Sequence, residues 1–136
     1  MLKLVEIAGI VGIVLFYDLW FYGVHRLLHH KLFYEYHKIH HSVKHDKLTY
    51  LHAASAHLVE NILTNVGFII PVVLFKTDTK TTIITYLFIS IRGGLRHEKS
   101  LCWLIGTHHI DHHEYPNYNY STYIVDYVFG TVKPQN

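Results

Sequence analysis

Residues 25–41 read HRLLHHKLFYEYHKIHH. His25 and His29 stand four apart, and His37, His40 and His41 stand at i, i+3 and i+4. The HxxHH spacing returns at His109, His112 and His113. On a helix, residues three and four apart share a face, so each group is expected to project two or three imidazoles in one direction. Imidazole is the commonest side-chain metal ligand and suits zinc, copper, iron and nickel. Eight histidines in three groups exceed the need of one tetrahedral ion, and the pattern predicts two metals close together.

The rest of the chain says where such a centre would sit. The 136 residues suit one domain. Hydrophobic residues make up 50% and charged residues only 16%, which is apolar for a soluble domain. A net charge of +2 does not call for a nucleic-acid partner. The single Cys102 excludes an internal disulfide and a cysteine-based zinc site.

Working outward, the stretch Ile7 to Val24 carries one charge, Asp18. Its 18 residues would make a helix about 27 Å long, near the hydrocarbon thickness of a bilayer. It reads as a membrane helix, with a buried core helix as the alternative. Asp18 precedes His25 by seven residues, close to two turns, so it returns to nearly the same face. It is expected to accept a hydrogen bond from a ligand's ring N–H, or else to face headgroups near a helix end. A second apolar segment spans 58–75, the polar loop 76–80 follows, and a third apolar segment from Thr81 continues to about Leu95, giving a membrane helix of about 79–95. Pro71 is expected to kink or end its helix. The third segment is β-branched and alone resembles a strand; as the partner of the second it reads as the return arm of a membrane hairpin.

One crossing followed by a hairpin places residues 25–57 and 92–136, and with them the histidine-box regions 25–57 and 96–132, on the same side. Every histidine then faces one compartment, as a shared metal centre requires. That side carries Arg26, Lys31, Lys38, Lys44, Lys47, Arg92, Arg96, Lys99 and Lys133, against Lys3, Lys76 and Lys80 on the other. By the positive-inside rule it is cytosolic. His57 and His97 lie on that side near the groups and are expected to join the ligands. His45 continues the face of His37 and His41 as ligand or solvated residue; His52 does not fit. His108 competes with His109, and the repeated spacing favours His109. The polar, basic stretch 30–48 is expected to be helical, and Pro116 to end the last histidine helix.

These residues resemble the fatty acid hydroxylase/sterol desaturase superfamily of membrane di-iron enzymes. DLWFYGVHRLLH from Asp18 is similar to that family's first histidine box, His37 to His41 to the second, and His109 to His113 to the last. AHLVEN around His57 and Glu60 resembles its following helix. Asn119-Tyr120 and the run Asp126 to Thr131 resemble its C-terminal signature. Within the family the chain looks most like C-4 methylsterol oxidases and sterol desaturases. It departs from the pattern in having Glu98-Lys99 after His97, Ser121 after Asn119-Tyr120, and a single helix before the first box. The resemblance implies an all-α integral membrane protein with a cytosolic histidine-rich cap over a short bundle. It implies two iron ions and oxygen-dependent hydroxylation or desaturation of a sterol or fatty acyl lipid. Glu60 is expected to stand behind a ligand as Asp18 does. Electrons would come from an external donor, a cytochrome b5-type protein or a reductase, because no flavin or haem motif is visible. In a eukaryote the endoplasmic reticulum would be its place. Two further readings are a non-catalytic or degenerate metal-binding relative and a soluble zinc hydrolase. No HExxH motif supports the latter.

Overall fold

The computed structural model describes residues 3–134. Among them every regular element is helical. Three long helices form a bundle: α1 (Leu4–Leu28), α2 (Leu58–Leu74) and α3 (Thr79–His97). Three short ones follow: α4 (Cys102–Ile105), α5 (His108–Glu114) and α6 (Tyr123–Val128). The fold class is the all-α, histidine-capped bundle that the sequence implies.

α2 and α3 both pack on α1. Their shared core is small: Ile13, Phe68 and Ile89, flanked by Val14, Tyr17 and Val72. Contact between α1 and α2 is close because residue 67 is glycine. A Cβ there would lie 2.2 Å from Cδ1 of Trp20, and that indole is held by its 2.8 Å hydrogen bond to the carbonyl of Leu63. Asp78 caps α3, its Oδ1 accepting from the Thr81 N–H at 3.0 Å, which stops one of the unpaired donors of the first turn from being left open.

The outward faces stay apolar. Leu4, Val11, Leu15 and Leu19 on α1, Ile62, Ile69 and Val73 on α2, and Ile83, Leu87 and Phe88 on α3 are all exposed. Only 11% of the most apolar window of α1 is buried in the protein. A core helix of a soluble domain would hide that face, so the alternative of a buried core helix is not what the fold adopts. Among the described residues α1 is the one helix long and apolar enough to cross a membrane; α2 is apolar but shorter, at 17 residues.

Two local expectations are corrected. α2 runs through Pro71 and ends three residues later at Leu74. Proline forfeits one main-chain bond there, while its own carbonyl still accepts from Phe75 N at 2.9 Å and closes the turn. The stretch 30–48 is a chain of turns and short 3₁₀ pieces, Tyr34–Tyr36, His40–Ser42 and His45–Lys47, rather than one helix. Val43 and Lys44 are extended. Turning in place of coiling buries His37 and His40 while Leu32, Tyr36 and Ile39 stay exposed.

Candidate metal centre

At the end of the bundle where α1 and α3 finish, nine imidazoles converge in two groups. His25, His29, His37, His41 and His112 form one, and His40, His97, His109 and His113 the other. Within each group one ring nitrogen per residue lies within 4.8 Å of every other. α1 supplies His25 and His29 one helical turn apart. α3 supplies His97 from its last turn, and α5 supplies His109, His112 and His113. The two HxxHH segments each serve both groups: His37 and His41 go one way and His40 the other, His112 one way and His109 and His113 the other. A single direction per segment, expected from helical spacing, is therefore corrected. In the first segment the 3₁₀ turn fans the rings apart; α5 stands between the two groups.

Main-chain carbonyls orient the rings. The Nδ1–H of His25 donates to the carbonyl of Tyr120 at 2.5 Å, that of His112 to Tyr118 at 2.6 Å, that of His97 to Gly93 at 2.8 Å and that of His40 to Ser55 at 3.3 Å. A carbonyl only accepts, so each of these nitrogens must carry the proton. In a neutral ring the remaining Nε2 is then a bare lone pair. His37 follows the same pattern through Glu60 Oε1, 2.9 Å from its Nδ1.

Neutrality follows from burial. Burial first, with neighbouring imidazoles adding to it, pushes His29, His40, His41 and His112 down to about 3, and burial pushes His97 down to about 4. His25, His37, His109 and His113 are pushed down further for the same reasons. The Nε2 atoms of His25, His40, His97 and His112 are thereby left as bare lone pairs, each facing a neighbouring imidazole. Nε2 of His25 lies 3.0 Å from Nε2 of His37, and Nε2 of His40 lies 3.1 Å from Nε2 of His97. His109 and His97 meet at 2.9 Å, and His29 and His112 at 3.0 Å. The His41 Nε2 and both nitrogens of His113 are buried without a partner. Two imidazoles bound to one ion at about 2.0–2.1 Å hold their nitrogens roughly 2.8–3.4 Å apart by right-angle or tetrahedral geometry. The arrangement fits two metal ions, one per group, and imidazole donors suit iron among the first-row metals.

Two assignments are corrected. His57 stands outside both groups. It caps α2, its Nδ1 accepting from the Val59 N–H at 3.1 Å, because the helix begins beside it and leaves that donor open. Asp18 touches no histidine. Both of its oxygens engage Arg92 of α3, Oδ2 at 2.9 Å from Nη1. The carbonyl of Tyr120 takes the place behind His25 that Asp18 was expected to fill. His45 faces Glu114 at 3.7 Å, His52 bonds Thr49, and His108 bonds Asp126 at 3.0 Å, leaving His109 to the centre.

The sequence hides the four carbonyls, because any residue carries one. What holds two of them was visible as the Asn119-Tyr120 and Asp126 to Thr131 runs. Asp126, fully buried, accepts from the N–H groups of Tyr120 and Ser121, each at 2.8 Å, and from the Thr131 hydroxyl at 2.7 Å. Asn119 takes φ +60, a left-handed turn that asparagine tolerates, and its Nδ2 bonds the His108 carbonyl at 3.0 Å. This knot sets the carbonyls of Tyr118 and Tyr120 against the rings.

Comparison with known proteins agrees with the geometry. A putative methylsterol monooxygenase of Dictyostelium discoideum is 35% identical over 128 residues, covering 84% of this chain and 46% of that protein. Lathosterol oxidase of Homo sapiens is 29% identical over 138 residues, covering 93% and 46%. Methylsterol monooxygenase 1 of Rattus norvegicus is 39% identical over 69 residues, covering 50% and 23%. The chain thus spans less than half the length of these relatives. No solved structure matches it. The fatty acid hydroxylase family model matches residues 10–131, which takes in all nine converging histidines and the turns that orient them, and the chain belongs to that family.

Proposed function

We propose that residues 1–136 act as one membrane-embedded domain that oxidises a C–H bond of a lipid, using two irons and dioxygen. The substrate is a sterol or a fatty acyl chain, and the outcome is hydroxylation or desaturation. The single observation that carries this reading is the convergence of nine imidazoles in two groups at one end of the bundle. The names of the relatives point the same way, toward sterol oxidation.

When bound, two irons supply activation of dioxygen and removal of hydrogen from an unactivated C–H bond. The chain supplies everything around that step. His25, His29, His37, His41 and His112 would hold one ion, and His40, His97, His109 and His113 the other. Tyr120, Tyr118, Gly93 and Ser55 keep the ring planes fixed through their carbonyls, and Glu60 does so for His37. Such partners typically govern metal affinity by about 10–100-fold. Tyr17, Phe21 and Ile89 wall a cavity of about 120 Å³ beside His40, His97 and His109. Their apolar surfaces exclude water from the reacting end of a lipid. The exposed apolar faces of the bundle suit a bilayer, and the excess of lysine and arginine on the histidine side favours the cytosolic face. That orientation gives an external electron donor, a cytochrome b5-type protein or a reductase, access to the centre. In a eukaryotic cell the membrane is that of the endoplasmic reticulum.

The test is iron content together with lipid-dependent oxygen uptake by detergent-purified protein, and lipid profiling of a sterol-desaturase-deficient host that expresses it. About two irons per chain and a new hydroxylated or desaturated lipid are expected. Full release from membranes by alkaline carbonate, or protein without iron, would sink the reading. A second reading is a metal-binding relative of the same family without catalysis. Iron bound with no oxygen uptake on any lipid would select it.

A further inference from the structure

Beyond the three long helices the chain exposes a second apolar surface. On α4, Trp103 is 81% exposed and Leu104 65%; on α6, Tyr123, Ile124, Tyr127 and Val128 are all exposed. Neither face carries a charge. Residues 102–105 have none, and Asp126, the one charge of α6, is fully buried. Water disfavours such a face, and on a folded protein it marks a surface that meets something else.

Its height on the bundle identifies the partner. The Asp18–Arg92 pair sets the register of α1 against α3. One turn further along each helix stand Tyr22 and Arg96. Tyr22 stacks on Phe129, the residue after α6, with ring centres 4.6 Å apart, and Arg96 borders a groove with Ile105 at the end of α4. α4 and α6 therefore lie at one height, and Ile105 and Tyr123 share a further groove between them. Phe88 and Ile91 of α3, both exposed, line the groove of Ile105 as well, so apolar surface runs from the long helices into α4 without a break. From Leu4 to Tyr22, α1 rises about 27 Å at about 1.5 Å per residue, close to the roughly 30 Å of a bilayer's hydrocarbon core. The height of α4 and α6 is thus that of the headgroups on the histidine side. Tryptophan and tyrosine settle at that level, the ring among apolar chains and the N–H or O–H toward water. We propose that α4 and α6 form a belt seated in the headgroup layer of the bilayer, with Trp103, Tyr123 and Tyr127 sunk in lipid. His25 and His97 follow within a turn of that height, so the belt holds the histidine centre at the membrane surface. The inference rests on the membrane-embedded reading above and adds a lipid-binding surface outside the long helices.

Depth-resolved fluorescence quenching of the full chain with its metals tests it. The protein is placed in phosphatidylcholine vesicles whose acyl chains carry bromine either near the carbonyl or near the methyl end, against the same lipid without bromine. Trp20 and Trp103 are the two tryptophans. Wild type less Trp103→Phe isolates the emission of Trp103, and Trp103→Phe by itself reports Trp20 in the span. Trp103 is expected to lose most of its emission to bromine near the carbonyl, less to bromine near the methyl end, and little to aqueous iodide. Tyr127→Trp, added to Trp103→Phe, should give the same order. An indole at either place that iodide quenches and bromine does not overturns the proposal, because the face then stands in water. An indole shielded from both overturns it too, because a second copy or another protein then covers the face. Quenching chiefly by the deep bromine would put the helix in the hydrocarbon and likewise contradict the belt. Trp20 open to iodide and untouched by bromine would sink the membrane-embedded reading itself, whereas Trp20 quenched by bromine with Trp103 open to iodide fails the belt alone.

Discussion

His25 donates its Nδ1–H to the carbonyl of Tyr120 across 95 positions of sequence. The contact joins the end of the first helix to the turn before the last. It fixes the tautomer of a buried imidazole without using a side chain, and Asp126 keeps the carbonyl in place by accepting from the Tyr120 N–H.

Asp126→Ala tests that chain of support. The substitution leaves the N–H groups of Tyr120 and Ser121 and the Thr131 hydroxyl without their acceptor, in a fully buried place. Each orphaned donor costs about 1–3 kcal/mol. A large fall in melting temperature is expected together with loss of metal, although Asp126 touches no inward nitrogen. Calorimetry and metal analysis of the same sample measure both. Retained metal at wild-type stability would contradict the account.

His40→Ala and His57→Ala separate ligand from cap. His40 faces His97, whereas His57 holds the first turn of α2. His40→Ala should lower bound metal. His57→Ala should keep the metal and cost about 1 kcal/mol, the usual worth of a helix cap. The paired comparison fails if His57→Ala loses metal as His40→Ala does.

Asp18 and Arg92 form a bond between α1 and α3 inside the bundle. Removing one partner of a buried pair typically costs about 3–5 kcal/mol, because the other charge is left alone. Asp18→Leu should therefore destabilise the protein, and adding Arg92→Met should restore most of the loss. Thermal unfolding in detergent reads both. If the double variant is no more stable than the single one, the pair does not couple.

Acid should empty the centre. His29, His40, His41, His97 and His112 have folded-state values of about 3 to 4, against 6.5 for a free imidazole. Between those limits the unfolded chain binds more protons than the folded one. The stabilisation is thus complete above about pH 6.5 and lost as pH falls toward 4, with a slope of about 1.4 kcal/mol per pH unit for each such histidine. Protons also compete with metal for the same nitrogens. Melting temperature and retained metal should drop steeply from pH 6.5 to 4. A flat profile would argue against buried neutral rings.

Local pattern determined much of this protein. The apolar run of residues 7–24 predicts α1, and the four-residue step from His25 to His29 places two rings on one face of it, because helical periodicity is a property of neighbours. The last histidine helix ends at Glu114, two residues before Pro116, whose ring disfavours helical backbone in the residue ahead of it. The repeated HxxHH spacing marks two segments whose imidazoles converge. Tertiary structure alone decided how those histidines divide. His37 and His40 are three apart yet serve different groups, because the chain around them turns instead of coiling. His97 joins the centre from the last turn of α3, and His57 does not, because its ring caps the first turn of α2. Asp18 meets Arg92, 74 residues away, in place of a ligand. The carbonyls behind the rings left no trace in residue identity, for every residue has one, and only the path of the folded backbone brings four of them to the imidazoles.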